Sequence, residues 1–179
     1  MATTIRPATR EDVPQILAFI RALAVYERAP EAVTATEADL ERDGFGPNPF
    51  YFCLIAEHDS RPAGFALYFF SYSTWLGRPG LYLEDIFVEP ELRGRGIGKA
   101  LLQRVAAIAV EEGCPRLHWA VLDWNAPAID FYRAMGAEFL GEWRNMRVSG
   151  EALKRLAARG GADGACAPNY LQNDGLGVN

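Results

Sequence analysis

Directly after a strand-like run, Tyr82 to Val88, and at the start of a helical pattern, the chain reads Arg93-Gly94-Arg95-Gly96-Ile97-Gly98-Lys99. A glycine-rich turn that opens a helix presents main-chain N–H groups without intrahelical partners, at the end of the helix dipole that favours negative charge. Glycine permits positive φ and lets a ligand approach the main chain closely. The chemistry this suits is the capture of a diphosphate. A dinucleotide fingerprint wants glycines at the first, third and sixth positions, and Lys99 holds the sixth; the triphosphate loop ending in Gly-Lys-Ser/Thr is also missing. Upstream, Glu84 and Asp85 are adjacent carboxylates on the strand. Successive side chains point to opposite faces, so only a bulge would bring both into one pocket. The competing readings are a structural turn for the loop and an edge charge or salt bridge for the acidic pair.

The surrounding periodicities predict what positions these groups. Thr4 to Arg6 reads as a short strand, and Val13, Ile16, Leu17, Ile20, Leu23 and Ala24 recur at helical spacing after a Thr9/Asp12 capping pair. Glu31 to Arg42 is a polar helix or loop. Phe50 to Glu57 and Ala63 to Tyr72 flank His58-Asp59-Ser60-Arg61 as a hairpin, and Leu81 to Val88 is a third strand. A helix over 96–112 buries Ile97, Ala100, Leu101, Val105 and Ile108 and stops at Gly113, and Arg116 to Val121 returns as a strand. Asn125 caps a short helix ending at Gly136, and Glu142 to Val148 completes the strands. An antiparallel meander with one β-helix-β crossover indicates an α/β fold with a mixed sheet rather than a doubly wound parallel one.

With 179 residues, half of them apolar, the chain suits one domain over residues 1–159, followed by a Gly/Ala/Asn-rich tail over 160–179 expected to be weakly ordered. A net charge of −5 argues against nucleic acid and for a cationic ligand. Cys53, Cys114 and Cys166 are odd in number and lack metal-ligand spacing, so no disulfide frame and no metal site is expected. No run approaches the roughly 20 apolar residues that span a bilayer, and Met1 to Thr9 has no apolar signal core. The expectation is a cytoplasmic protein without membrane partners.

The pattern Arg-x-x-Gly-x-Gly after a strand resembles the acetyl-CoA pyrophosphate loop of the GNAT superfamily of N-acetyltransferases. Ile5-Arg6-Pro7-Ala8-Thr9, Tyr26-Glu27, Asp43-Gly44-Phe45-Gly46, Pro49-Phe50-Tyr51, Tyr82-Leu83-Glu84-Asp85, Asp123-Trp124-Asn125 and Phe131-Tyr132 follow in the order seen in the diamine N-acetyltransferase family. Tyr72-Ser73-Thr74-Trp75 and Ala120-Val121-Leu122-Asp123-Trp124-Asn125 are more similar to its thialysine-acetylating branch; Ser73 stands where the polyamine enzymes carry an aspartate.

This resemblance implies a GNAT-like fold, acetyl-CoA as donor, a small primary amine as acceptor and a homodimer. It assigns Glu84 as the base and Tyr132 as the acid toward the leaving thiolate. Ile86, Phe87 and Val88 would pair with the pantetheine through their backbones, with the Phe87 N–H toward the thioester oxygen. Arg93, Gly94, Arg95, Gly96, Ile97, Gly98 and Lys99 would hold the pyrophosphate. Asn125, Ala126, Pro127 and Ala128 would line the other side of the coenzyme arm. The acceptor would meet Tyr26, Glu27, Trp75, Glu84, His118, Trp119 and Ala120. Two further functions compete: acetylation of a protein or peptide amine, and an acyl-CoA sensor without turnover, for which Glu84 and Tyr132 would be unnecessary.

Overall fold

The computed structural model describes residues 2–159, which fall into two compact units that divide between Ala120 and Val121. The tail over 160–179, expected to be weakly ordered, and Cys166 lie outside the described residues.

The first unit is a five-stranded sheet in the order β1-β2-β3-β4-β5: β1 Thr3–Pro7, β2 Phe52–His58, β3 Arg61–Ser73, β4 Arg78–Val88 and β5 Leu117–His118. The first four strands pair antiparallel and β5 pairs parallel to β4. The hairpin between β2 and β3 turns through Asp59 and Ser60, both at positive φ (50° and 61°), the two-residue geometry that matches strand twist. Helices α1 Val13–Tyr26 and α2 Glu37–Phe45 connect β1 to β2, and α3 Ile97–Glu111 makes the crossover from β4 to β5.

Each sheet face buries its own core. On one, α1 sets Val13, Ile16, Leu17 and Phe19 against Cys53, Ile55, Phe65, Leu67 and Phe87. Phe19, outside the predicted stripe, is fully buried and stacks on Phe65 at 5.7 Å. Helix α3 brings Ile97, Leu101, Leu102, Val105 and Ala109 to the sheet. Full burial of such side chains is worth about 1.5–3 kcal/mol each.

The second unit holds α4 Ala126–Ala134 and α5 Gly150–Arg159. Two strand expectations are corrected. The strand expected over Arg116 to Val121 pairs only at Leu117 and His118, because the chain leaves the edge of β4 beyond them. Glu142 to Val148 is irregular: among the described residues it joins no ladder, and an extended segment without a ladder partner is not regular structure.

Candidate active site

The glycine loop takes the conformation its composition requires. Gly94 and Gly96 have φ of +75° and +82°, and Gly96 is the N-cap of α3. A Cβ placed on either would meet nothing within 4 Å, so the main chain borders open space. The first α-helical bond runs from the Ala100 N–H to the Gly96 carbonyl, leaving the preceding first-turn amides without intrahelical acceptors. Ile97 anchors the turn in the core, while Arg95 and Lys99 are exposed beside it. Unbonded main-chain amides at a helix start beside open space are an arrangement that suits an anion.

Strand β4 leads into that loop and carries a bulge at the acidic pair. Leu67 opposes Asp85 while its neighbour Tyr68 opposes Leu83, so Glu84 is an extra, unpaired residue. The alternation expected to separate the two carboxylates is therefore broken. Glu84 is exposed and Asp85 sits largely buried; burial, reinforced by the charges of Glu84 and Glu27, pushes the Asp85 carboxyl up to about 6. Burial also raises Glu27. None of the ion pairs among the described residues involves these three carboxylates. Crowded acidic groups without a cation of their own suit a cationic ligand.

Tyr26 ends α1 and Glu27 caps it, the Glu27 N–H donating to the Leu23 carbonyl at 2.8 Å. A carboxylate there opposes the negative end of the helix dipole, which makes the position electrostatically costly. Arg93 lies against this helix end. Its Cζ is 4.7 Å from the Tyr26 ring centroid and 5.8 Å from that of Phe87, and its Nε donates to the Val88 carbonyl at 3.1 Å.

β4 and β5 are paired only at Leu81–Leu117 and Tyr82–His118, so the outer edge of β4 from Leu83 to Val88, including Ile86, has no β5 partner. At the last paired rung, Phe69 stacks on Tyr82 at 5.1 Å and His118 meets Tyr82 edge-on at 5.0 Å. Burial and the charge of Arg116 lower His118 below the ordinary imidazole range. Tyr82 is raised by burial and by Glu84. Trp119 is half-buried and Ala120 exposed just beyond, and Trp75 projects from the β3–β4 turn, 88% exposed. In that turn Ser73 is buried, its hydroxyl accepting the Leu76 N–H at 3.3 Å.

The second unit carries the remaining candidates. Asn125 is buried and its Oδ1 accepts the Ala128 N–H at 3.3 Å, making it the N-cap of α4, with Ala126 and Pro127 in the first turn. Tyr132 is half-buried on α4, its ring 5.3 Å from that of Phe131.

The first unit thus brings together Tyr26, Glu27 and Arg93 at one helix end, and joins Glu84 to the glycine loop through one strand. Trp75 stands in a separate turn. Sequence reasoning missed Phe69 and Tyr82 and left the place of Asp85 open. Tyr82 lies just before the bulge at Glu84, where simple alternation no longer says which residues share a face. Phe69 and Asp85 depend on β3–β4 register, which no local pattern reveals.

The model of the Acetyltransferase (GNAT) family matches residues 14–137. Thialysine N-epsilon-acetyltransferase of Bos taurus is 48% identical over 166 residues, covering 87% of this chain and 97% of that protein. The Sus scrofa protein of the same name is 45% identical over the same shares. Among solved structures, an integron cassette protein from the mobile metagenome of V. cholerae superposes with a TM-score of 0.74 at 27% identity, over 88% of this chain and 98% of its own. The anion cradle, the β4 edge beside it and these similarities converge: the chain is a member of the GNAT acetyltransferase family.

Proposed function

We propose that the protein transfers an acetyl group from acetyl-CoA directly to a small primary amine, a thialysine-like amino acid before a diamine or polyamine. The observation that carries this reading is the Glu27, Glu84 and Asp85 cluster, crowded, short of positive charge and on the strand that feeds the anion cradle. The relatives' names support the same acceptor class.

An alkyl amine has a pKa near about 10 and arrives protonated, so a base must act before it can attack. Glu84, exposed on the bulge, takes that proton through water, while Asp85 and Glu27 hold the cationic acceptor in place. Tyr26, Trp75, His118, Trp119 and Ala120 border the acceptor. Bound acetyl-CoA supplies the thioester carbonyl. The amides of residues 94–99, with Arg95 and Lys99, hold its diphosphate; main-chain groups of Ile86 and Val88 on the free edge of β4 pair with its amide arm, whereas the register with β3 turns the Phe87 N–H into the sheet and removes it as the oxyanion donor. Asn125 to Ala128 border the same arm. Tyr132 returns a proton to the leaving sulfur. The working form is read as a homodimer in the cytoplasm, where the buried thiols of Cys53 and Cys114 stay reduced.

The test is release of free thiol from acetyl-CoA with thialysine, lysine, spermidine, putrescine and a peptide amine. Thialysine should turn over in preference to spermidine, since the Ser73 hydroxyl is spent inside its own turn. Glu84→Gln and Tyr132→Phe should each lower kcat by about 100-fold or more with little change in CoA affinity. Tight acetyl-CoA binding without turnover of any amine would contradict the proposal.

A further inference from the structure

We propose that Arg93 is a positioning residue that makes donor and acceptor binding interdependent, by tying the end of α1 to the cofactor strand. The inference rests on the acetyl-transfer reading above and departs from a plain phosphate contact for this arginine. Three neighbours contact the side chain: the Val88 carbonyl accepts from Nε, the Tyr26 ring lies 4.7 Å from Cζ, and the Phe87 ring flanks it. Its four other guanidinium N–H groups make no hydrogen bond among the described residues.

Behind it runs a column of rings. Phe65 stacks on Phe19, and Phe19 lies 5.8 Å from Phe87. All three are buried, whereas Arg93 is exposed at the outer end of the column. The inner part is immobile by packing, and the outer part has freedom to lose. Arg93 is also the first residue of the glycine loop. An anion in the cradle gives the free N–H groups charge-assisted partners, and fixing the guanidinium fixes the Tyr26 ring stacked on it. Glu27 follows Tyr26 in the chain, so the acceptor side is ordered by the donor's arrival. Such ordering produces positive coupling without a large structural change.

Isothermal titration with CoA and thialysine tests this without turnover, because CoA carries no acetyl group. The readout is the ratio of the thialysine Kd in the absence of CoA to that with saturating CoA. The wild type should give a ratio of about 5 or more. Arg93→Met should bring it to about 1, Tyr26→Leu should do the same, and the double variant should add nothing further. Tyr26→Phe, which keeps the ring, should preserve the wild-type ratio, and Arg93→Lys, which keeps charge without a planar face, should recover less than half of it. Full coupling in Arg93→Met with weakened CoA binding would overturn the proposal in favour of a simple phosphate contact. A wild-type ratio of 1 with tight CoA binding would also overturn it while leaving the acetyl-transfer reading intact. Failure of wild-type protein to bind CoA would instead overturn that reading and this inference with it.

Discussion

Burial leaves an ionised Asp85 with little water, and the charges of Glu84 and Glu27 add to that cost, so its carboxyl is pushed up to about 6. Below that value it is neutral and offers an ammonium group nothing; above it the charge is present. Amine affinity should therefore rise with pH through about 6, and Asp85→Asn should flatten the rise and weaken binding about tenfold at pH 7.5. Stability moves the opposite way. A carboxyl raised in the folded state holds its proton more tightly than in the unfolded chain, so stability falls as pH climbs from the unfolded value near about 4 to about 6. Asp85→Asn should stabilise the protein by about 1–2 kcal/mol at pH 7.5 and leave it unchanged near pH 4, measured by thermal unfolding at both pH values. A variant less stable at pH 7.5 would show that the carboxylate is compensated in place. This residue was only half legible in the sequence: its type was visible, but the bulge that moves it is a property of two strands in register.

At the scale of elements, two glycines separate scaffold from binding. Gly64 on β3 faces β4, and a Cβ there would overlap the Phe87 carbonyl oxygen. Gly96 has open space around it but needs positive φ. Gly64→Ala should therefore cost about 1–3 kcal/mol in stability by forcing the strands apart. Gly96→Ala should cost about 1 kcal/mol through backbone strain while weakening CoA binding by a larger factor. Chemical denaturation and CoA titration on both variants distinguish these outcomes, and equal effects on both measurements would deny the division of roles. Elements whose signals are local were readable: the Asp59-Ser60 hairpin turn, the glycine loop and the α3 stripe. β5 and the 142–148 segment were not, because a strand exists only where another edge accepts it, and the apolar residues Trp143, Met146 and Val148 do not say where that edge lies.

For the whole molecule, the single chain leaves Phe139, Leu140, Trp143, Met146, Leu153 and Leu156 exposed in one stretch, with Trp143 and Met146 at 71% and 93%. Large apolar side chains left exposed along one stretch of sequence are available to an interface, and they support the homodimer we propose. Light scattering should find a dimer at micromolar concentration, and Trp143→Arg with Met146→Glu should shift it to monomer; a monomeric wild type would contradict the dimer. Acetyl transfer itself rests on the cradle that leads from β4 into α3. The most direct test of it is a backbone amide NMR titration of the full-length protein with CoA. The largest chemical-shift changes should fall at Gly94 to Lys99 and at Ile86 to Val88. Saturating CoA binding that leaves those amides unmoved would contradict it.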